Sequence, residues 1–381
     1  MTELLLEQAG AFEPVGLVRQ AKSFEAARAE LLELARTHLD RSLTEVRELH
    51  NRGASGTRVT MKLTELFDQL VCRLYDACAV GVPVESERHC ALLALGGYGR
   101  KEMNPRSDLD LMFYYTDNGR EAAEKISDRL LYLLWDLNLD VGYSVRAAGD
   151  CLEQANHDIT VRTALLDARL LNGTDAIWQD FIARVFRLIL GGSTQGFIKA
   201  KIEENQERRR KYGSSVYLLE PNIKEGEGGL RDLHAALWIA RIKFKATSLR
   251  DLVIKGVLNE GEAEDFENAC DYLWQIRNEL HFLATRKSDQ MFFDQQSKIA
   301  AFLGYVDDGR APAVEQFMQD YYTHATLVEH ISSSLIIKAT QRDELKTGVL
   351  GFFVNRNLED GFSILRGEIR TTAVRGTLPM H

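Results

Sequence analysis

The sequence predicts an α+β protein in which a small mixed α/β unit is followed by an all-helical domain. Short apolar runs at 91–95, 109–115 and 139–146 have the length and composition of strands. An amphipathic stretch at 119–137 lies between the second and third runs and predicts a helix. Beyond about residue 155, nearly every segment shows helical spacing instead. The order of the elements therefore places the sheet in the first half of the chain.

Helices are predicted on both sides of this α/β unit. Residues 24–50 and 58–79 have periodic apolar positions, and the Gly/Ser/Asn-rich loop Asn51 to Thr57 separates them. A glycine-rich break, Tyr212 to Gly229, interrupts the later helices. The later predicted helices are 158–171, 174–190, 194–211, 230–245, 259–286, 293–303 and 312–342. The charge-rich stretch Glu203 to Lys211 is typical of a solvated helix face, with a phosphate or partner contact as the alternative.

These patterns divide the chain into four parts. We predict an N-terminal helical segment at 1–57, an α/β domain at 58–155 and a helical domain at 156–343. The last part, 344–381, mixes glycine with short apolar runs, and its structure is not predicted.

Composition excludes several classes of protein. The 381 residues are 45% hydrophobic and 27% charged, which is typical of a soluble globular chain, and no apolar run approaches the ~20 residues that span a bilayer. The net charge of −9 disfavours a nucleic-acid polymer as ligand, because such binding depends on neutralised phosphates. Five cysteines without C-x-x-C spacing indicate neither a disulfide framework nor a zinc site. We expect a cytoplasmic protein with no membrane contact.

Two aspartates form the strongest candidate site. Asp108 and Asp110 are two residues apart at a predicted strand, so their side chains leave the same face. Such a carboxylate pair suits Mg²⁺, with Mn²⁺ as the alternative, and the cation would take further ligands from substrate phosphates. On its own, an Asp-x-Asp pair is more often a solvated strand face.

The residues before this pair complement it. Gly96 and Gly97 directly follow a predicted strand, and without Cβ atoms their backbone can approach a phosphate. Ser107 can add a hydroxyl group, and Arg100 can neutralise phosphate charge. Positioning and charge stabilisation are the main requirements of nucleotidyl transfer. The combination therefore predicts a metal-dependent nucleotidyltransferase.

Residues 96–111, GGYGRKEMNPRSDLDL, resemble the signature of the polymerase-β-type nucleotidyltransferases. A second segment, LEPNIKEGEGGLRDLH at 219–234, resembles the bifunctional uridylyltransferase/uridylyl-removing enzymes of the PII nitrogen-regulatory system. A third similarity lies at 266–294, so that the resemblance covers roughly residues 40–340. It implies a polymerase-β-like domain followed by a helical domain.

The resemblance also implies an activity. The enzyme would transfer UMP from UTP to a tyrosine of the PII protein and release pyrophosphate. Asp108 and Asp110 would hold the metal, while Gly96, Gly97 and Ser107 would hold the triphosphate.

Two further groups of residues are candidates for the site. The superfamily generally uses a third carboxylate on a later strand, for which Asp140 is the candidate and Asp158 and Asp167 are the alternatives. In the loop 219–232, Lys224 and Arg231 are predicted to contact the triphosphate or the base, because a glycine-rich stretch that enters a helix can bind an anion. The alternative is a rigid loop that an ion pair closes.

One other pair of residues is interpreted as structural. Arg277 and His281 share one helix face and resemble an Arg-Asn-x-x-His pair that serves RNA cleavage elsewhere. Nothing else in the sequence supports that chemistry, so we expect packing partners.

Other functions remain open at this point. The same core could transfer an adenylyl group, or act on a different protein or a small molecule, or bind nucleotide as a non-catalytic regulatory module. The full-length family continues with a phosphohydrolase domain and two regulatory domains, for which 381 residues leave no room. We therefore expect uridylyl removal and glutamine sensing by those domains to be absent from this chain, whether it is a piece or a natural short form.

Overall fold

A computed structural model describes residues 12–284 and 286–341, together with three short strands in the C-terminal part. The chain divides into two compact units, Met1–Thr340 and Gln341–His381. Each unit is described by itself.

The first unit contains four strands and sixteen α-helices among its described residues. The strands are β1 (Cys90–Ala94), β2 (Leu109–Tyr115), β3 (Val141–Arg146) and β4 (Arg169–Asn172). The helices before β3 are α1 (Pro14–Ala21), α2 (Phe24–Asn51), α3 (Gly56–Ala79), α4 (Val84–Glu87), α5 (Gly96–Gly99) and α6 (Arg120–Asp136). The later helices are α7 (Ala148–His157), α8 (Ile159–Leu166), α9 (Asp175–Phe181), α10 (Arg187–Gly191), α11 (Thr194–Tyr212), α12 (Leu230–Phe244), α13 (Leu249–Ile254), α14 (Glu260–Leu283), α15 (Phe293–Phe302) and α16 (Ala313–Thr340).

The four strands form one mixed sheet in the order β3-β2-β1-β4. Strand β1 pairs antiparallel with both β2 and β4, whereas β2 and β3 are parallel. The parallel pair requires a crossover, which helix α6 supplies. The sheet is therefore mixed and small, and the predicted α+β fold is confirmed.

Both faces of the sheet are covered. Alternate residues of β1 enter different cores: Leu92 belongs to the core that includes residues of α2, α3 and α6, and Leu93 belongs to the core that includes residues of the later helices. All five β1 residues are buried, because this strand has neighbours on both edges and helices on both faces. The glycine pair Gly96 and Gly97 thus follows a fully buried strand.

Helices α12, α14, α15 and α16 pack around a third core of their own. Phe266, Leu273 and Tyr321 are almost completely buried at its centre. Helix α14 also contacts α3, where Asp271 caps the start of α3 by accepting hydrogen bonds from Gly56 N and Thr57 N. This contact fixes the helical part of the unit against the part that carries the sheet.

The prediction of a continuous helix at 158–171 was wrong at its end. Helix α8 stops at Leu166, and residues 169–172 form β4, which pairs with β1. The apolar residues Leu170 and Leu171 fit a helix and a strand equally well locally, and the open edge of β1 decides between them. The sheet consequently extends past residue 155, the predicted end of the α/β domain.

The second unit contains three short strands: β5 (Arg356–Leu358), β6 (Phe362–Leu365) and β7 (Glu368–Thr371). They form an antiparallel sheet in the order β5-β6-β7. Within the described part of the chain, no helix is both long and apolar enough to cross a membrane.

Candidate active site

Asp108 and Asp110 lie where β2 begins. Asp108 precedes the strand, Asp110 is its second residue, and both line a cavity of about 490 Å³. The Asp108 side chain is 40% exposed, and its Oδ2 lies 2.5 Å from Lys287 Nζ. The structure thus brings the two predicted carboxylates together on one cavity wall.

Two glycines make room on either side of the Asp110 carboxylate. A Cβ atom at Gly96 would lie 2.9 Å from Asp110 Oδ2, and one at Gly142 would lie 2.7 Å from Asp110 Oδ1. Gly96 also has a φ of +53°, a left-handed conformation that favours glycine. Both oxygen atoms of Asp110 therefore face space that any other residue at these two positions would fill.

This donor set fits a hard divalent cation. Mg²⁺ commonly takes one or two protein carboxylates and completes its shell with water and substrate phosphates, which Asp108 and Asp110 would allow. Among the described residues, no cluster of three or more His, Cys, Asp or Glu side chains is arranged as a metal site. The pair is therefore suited to an open site that is completed by substrate.

The electrostatics of the pair agree with this arrangement. Burial raises the pKa of Asp110, and the neighbouring Asp108 carboxylate raises it further, while Lys287 and Lys224 act in the opposite direction. Two carboxylates this close repel each other, so a cation between them would stabilise both.

Most of the predicted site residues line the same cavity. The eight that do so are Gly96, Gly97, Arg100, Ser107, Asp108, Asp110, Lys224 and Arg231. Asp140 does not line it, because it is exposed just before β3, where its carbonyl oxygen accepts a hydrogen bond from Leu109 N. Of the alternatives, Asp167 lies in the cavity, whereas Asp158 caps helix α8.

Arg100 is engaged in a buried network. Its guanidinium group lies 2.8 Å from Glu102 and 2.6 Å from Asp167. Burial alone would lower the pKa of Arg100, but these two ion pairs outweigh it and raise the pKa. His234 of α12 lies 2.7 Å from Glu102, and Trp238 Nε1 donates to Asp167 at 2.9 Å. Arg100 thus connects the glycine turn to α12 and has its charge matched by two carboxylates.

The loop between α11 and α12 carries Lys224. Asn222 Oδ1 accepts hydrogen bonds from Lys224 N at 3.1 Å and from Glu225 N at 2.7 Å, which fixes the turn. Burial lowers the pKa of Lys224 to about 8, and the charges of Arg277 and Arg231 contribute in the same direction. Lys224 therefore faces the cavity as a partly desolvated cation.

Arg231 is the second residue of helix α12, beside this loop. Its Nη2 donates to Glu225 Oε1 at 3.2 Å, so the two predicted loop residues Lys224 and Arg231 share one carboxylate partner.

Helix α11 contributes more to the site than the sequence indicated. Lys201 is 2% exposed and its Nζ lies 4.3 Å from the centroid of a Trp238 ring. Glu204, Arg208 and Lys211 also line the cavity, so one side of the stretch 203–211 faces the site. The cluster of charged residues was visible in the sequence, but its orientation depends on α12.

Arg277 and His281 both bind the carboxylate of Asp289. Arg277 Nε donates to Asp289 Oδ1 at 2.7 Å, and His281 Nε2 lies 2.9 Å from the same oxygen. His281 Nδ1 accepts a hydrogen bond from Arg106 N at 3.2 Å. The pair thus holds the segments that carry Ser107 and Lys287, in agreement with the structural role expected for it.

The chain is similar to known proteins of two nucleotidyltransferase families. The model of the GlnD PII-uridylyltransferase family matches residues 196–336, and that of the nucleotidyltransferase family DUF294 matches residues 41–152. The bifunctional uridylyltransferase/uridylyl-removing enzyme of Cereibacter sphaeroides is 37% identical over 371 residues, which are 96% of this chain and 39% of that enzyme. The enzyme of the same name from Rhodospirillum rubrum is 39% identical over 363 residues, 93% of this chain and 38% of the relative.

The fold, the site and these matches define the chain as a nucleotidyltransferase-class protein. It is a homologue of the bifunctional uridylyltransferase/uridylyl-removing enzymes, and it spans about two fifths of the length of the curated relatives it matches. The resemblance of the segments at 96–111 and 219–234 to this family is thereby confirmed.

Proposed function

We propose that this chain transfers UMP from UTP to a tyrosine hydroxyl of a PII-type signalling protein and releases pyrophosphate. The observation that carries the proposal is the Asp108–Asp110 pair, set beside two glycines in a cavity lined by basic side chains. Homologues named uridylyltransferases support the choice of UTP, and the match to the PII-uridylyltransferase family at 196–336 supports the choice of a PII protein.

In the reaction, the tyrosine oxygen attacks the α-phosphorus of UTP. The bond from the α-phosphorus to the bridging oxygen breaks, pyrophosphate leaves, and the tyrosine proton is lost to solvent. Divalent cations held by Asp108 and Asp110, with Mg²⁺ as the natural choice, would neutralise charge on the attacking and leaving oxygens.

The chain's own residues bind and orient the nucleotide. Gly96 and Gly97 leave the wall of the cavity open for a phosphate, and Lys224 and Arg231 supply positive charge from the opposite loop. Arg100 holds the glycine turn in place through Glu102 and Asp167. Rigid placement of charge is the main requirement of this chemistry.

The test combines the purified chain, UTP, Mg²⁺ and a PII protein, and measures the intact mass of the PII protein. We expect an increase by one UMP per modified subunit, lost in Asp108→Asn and in Asp110→Asn. Asp265→Asn is the matched control, because Asp265 is exposed on α14 and does not line the cavity.

Two results would contradict the proposal. One is the absence of UMP transfer alongside a working full-length relative. The other is transfer from ATP but not from UTP in a panel of nucleotides, which would favour adenylyl transfer.

A further inference from the structure

Lys287 occupies a position next to the carboxylate pair that the sequence did not single out. Its Nζ lies 2.5 Å from Asp108 Oδ2, and the Lys287 side chain is 34% exposed on the cavity wall. Lys287 lies 179 residues from Asp108 in the sequence, on the segment between α14 and α15. An ammonium group therefore contacts the same oxygen that would bind a divalent cation.

The backbone that carries Lys287 is anchored two residues further along the chain. The Asp289 side chain is bound by Arg277 and His281 of α14. Asp289 O also accepts a hydrogen bond from Ile223 N at 2.8 Å, and Met291 N donates to Pro221 O at 2.9 Å. The segment is thus joined both to α14 and to the loop that carries Lys224, and these bonds do not involve the Lys287 side chain.

This anchoring distinguishes Lys287 from an ordinary surface lysine. A surface ion pair alone would need no such support, and it contributes little to stability. The Asp289 side chain, which is 11% exposed, ties Lys287 to the same helix that supports the turn before Asp108. The long lysine side chain can therefore change partners while its backbone stays within reach of both the carboxylates and the phosphate-binding side of the cavity.

We infer that Lys287 is a nucleotide-contacting residue that pairs with Asp108 in the free protein and with the phosphates once a divalent cation binds Asp108. An ammonium group and a divalent cation repel each other at one carboxylate oxygen, so the lysine must leave when the metal arrives. A triphosphate is the anion that enters the cavity with the metal, and lysine is a common phosphate ligand. The inference rests on the proposed function for the identity of the nucleotide.

The first test uses Mn²⁺ alone, titrated into the protein and followed by electron paramagnetic resonance. Lys287→Met removes the competing cation, so we expect Mn²⁺ to bind about fivefold more tightly, which is the upper range for a surface ion pair. Lys298→Met is the control, because Lys298 is exposed on α15 and pairs only with Asp294 among its described contacts. Equal Mn²⁺ affinity in Lys287→Met and the wild type would overturn the inference.

The second test measures UTP binding by calorimetry with Mn²⁺ present and the acceptor protein absent. We expect Lys287→Met to weaken UTP binding about tenfold and Lys287→Arg to retain most of it. Unchanged UTP binding in Lys287→Met would also overturn the inference. Thermal unfolding of each variant verifies that it is folded. If Lys287→Met does not fold, Lys287→Gln serves as the second neutral variant.

These measurements separate the inference from the proposed function. Neither requires transfer to a PII protein, so a failure of transfer leaves both results interpretable. If the wild type binds no UTP, the proposed function fails, and the Mn²⁺ titration still decides whether Lys287 competes with the metal.

Discussion

Gly142 of β3 faces Asp110 of β2 across the parallel pair, at the distance where a Cβ atom would touch the carboxylate. The neighbouring strand therefore supplies space next to Asp110 instead of a third acid. Asp140, the candidate for that acid, lies two residues earlier, outside the cavity wall. The contribution of strand β3 to the site is therefore steric, because Gly142 leaves room for the Asp110 carboxylate.

Gly142→Ala should damage the site without unfolding the protein. The added Cβ would lie 2.7 Å from Asp110 Oδ1, and the end of a side chain can rotate away at little cost. We expect UMP transfer to fall at least tenfold, because a small displacement of a catalytic group is costly. The free energy of unfolding should change by less than about 1 kcal/mol, since alanine is tolerated in a strand at least as well as glycine.

Gly149→Ala is the control for this change. No atom lies within 4 Å of a Cβ at Gly149, which is in the first turn of α7. Wild-type transfer rates in Gly142→Ala, measured at subsaturating Mg²⁺, would show that the space beside Asp110 is not needed.

Arg100→Met should act mainly on stability. The guanidinium group neutralises Glu102 and Asp167, whose side chains are only 15% and 3% exposed. Removal of one partner from a buried ion pair typically costs about 3–5 kcal/mol, because a charge is left without compensation. Urea denaturation should therefore show a loss of this order in the free energy of unfolding.

The neighbouring Lys101→Met provides the comparison, since Lys101 is exposed and has no ion pair among its described contacts. A normally stable Arg100→Met variant with a raised KM for UTP would instead support the direct phosphate contact that the sequence suggested.

The contacts of Arg100 illustrate what the sequence could and could not predict. Asp108 and Asp110 were identifiable because alternate residues of a strand share a face wherever the strand lies. The partners of Arg100 were not, because Asp167 and the Trp238 ring reach it from two other helical segments. A basic residue beside a glycine turn has the same local pattern whether it binds phosphate or a buried acid.

Distance along the chain limits the prediction in the same way elsewhere. The boundaries of α6 and β2 were predicted to within one residue, since their patterns are local. Strand β4 was missed because its partner β1 lies about eighty residues earlier in the chain. Pairing with β1 overrides the weak local preference of these residues for a helix. Lys287 was missed for the same reason, because only the folded structure places it beside Asp108.

Asn278→Ala should destabilise the turn that precedes the carboxylate pair. Asn104 Nδ2 donates to Asn278 Oδ1 at 2.5 Å, Asn278 Nδ2 donates to Gly56 O at 3.3 Å, and both asparagines are fully buried. Truncation leaves the Asn104 amide group and the Gly56 carbonyl group without these partners. Each unsatisfied buried polar group costs about 1–3 kcal/mol, so for two groups we expect a loss of about 2–6 kcal/mol in the free energy of unfolding.

Asn268→Ala on the same helix is the control, because Asn268 is exposed. Transfer by Asn278→Ala should also fall, since Asn104 lies four residues before Asp108. A variant with wild-type stability would show that the two amides contribute nothing to the support of this turn.

The pH dependence of the reaction should report on Lys224. Burial lowers the pKa of Lys224 to about 8, so in the free protein the ammonium group loses its proton as the pH rises past that value. If Lys224 binds the triphosphate, kcat/KM for UTP at saturating acceptor should fall above about pH 8. The value of kcat should fall much less, because bound phosphates favour the charged lysine and kcat reports on the complex. Lys224→Arg, which stays charged, should flatten the profile of kcat/KM, and an unchanged fall in that variant would assign the titration to another group.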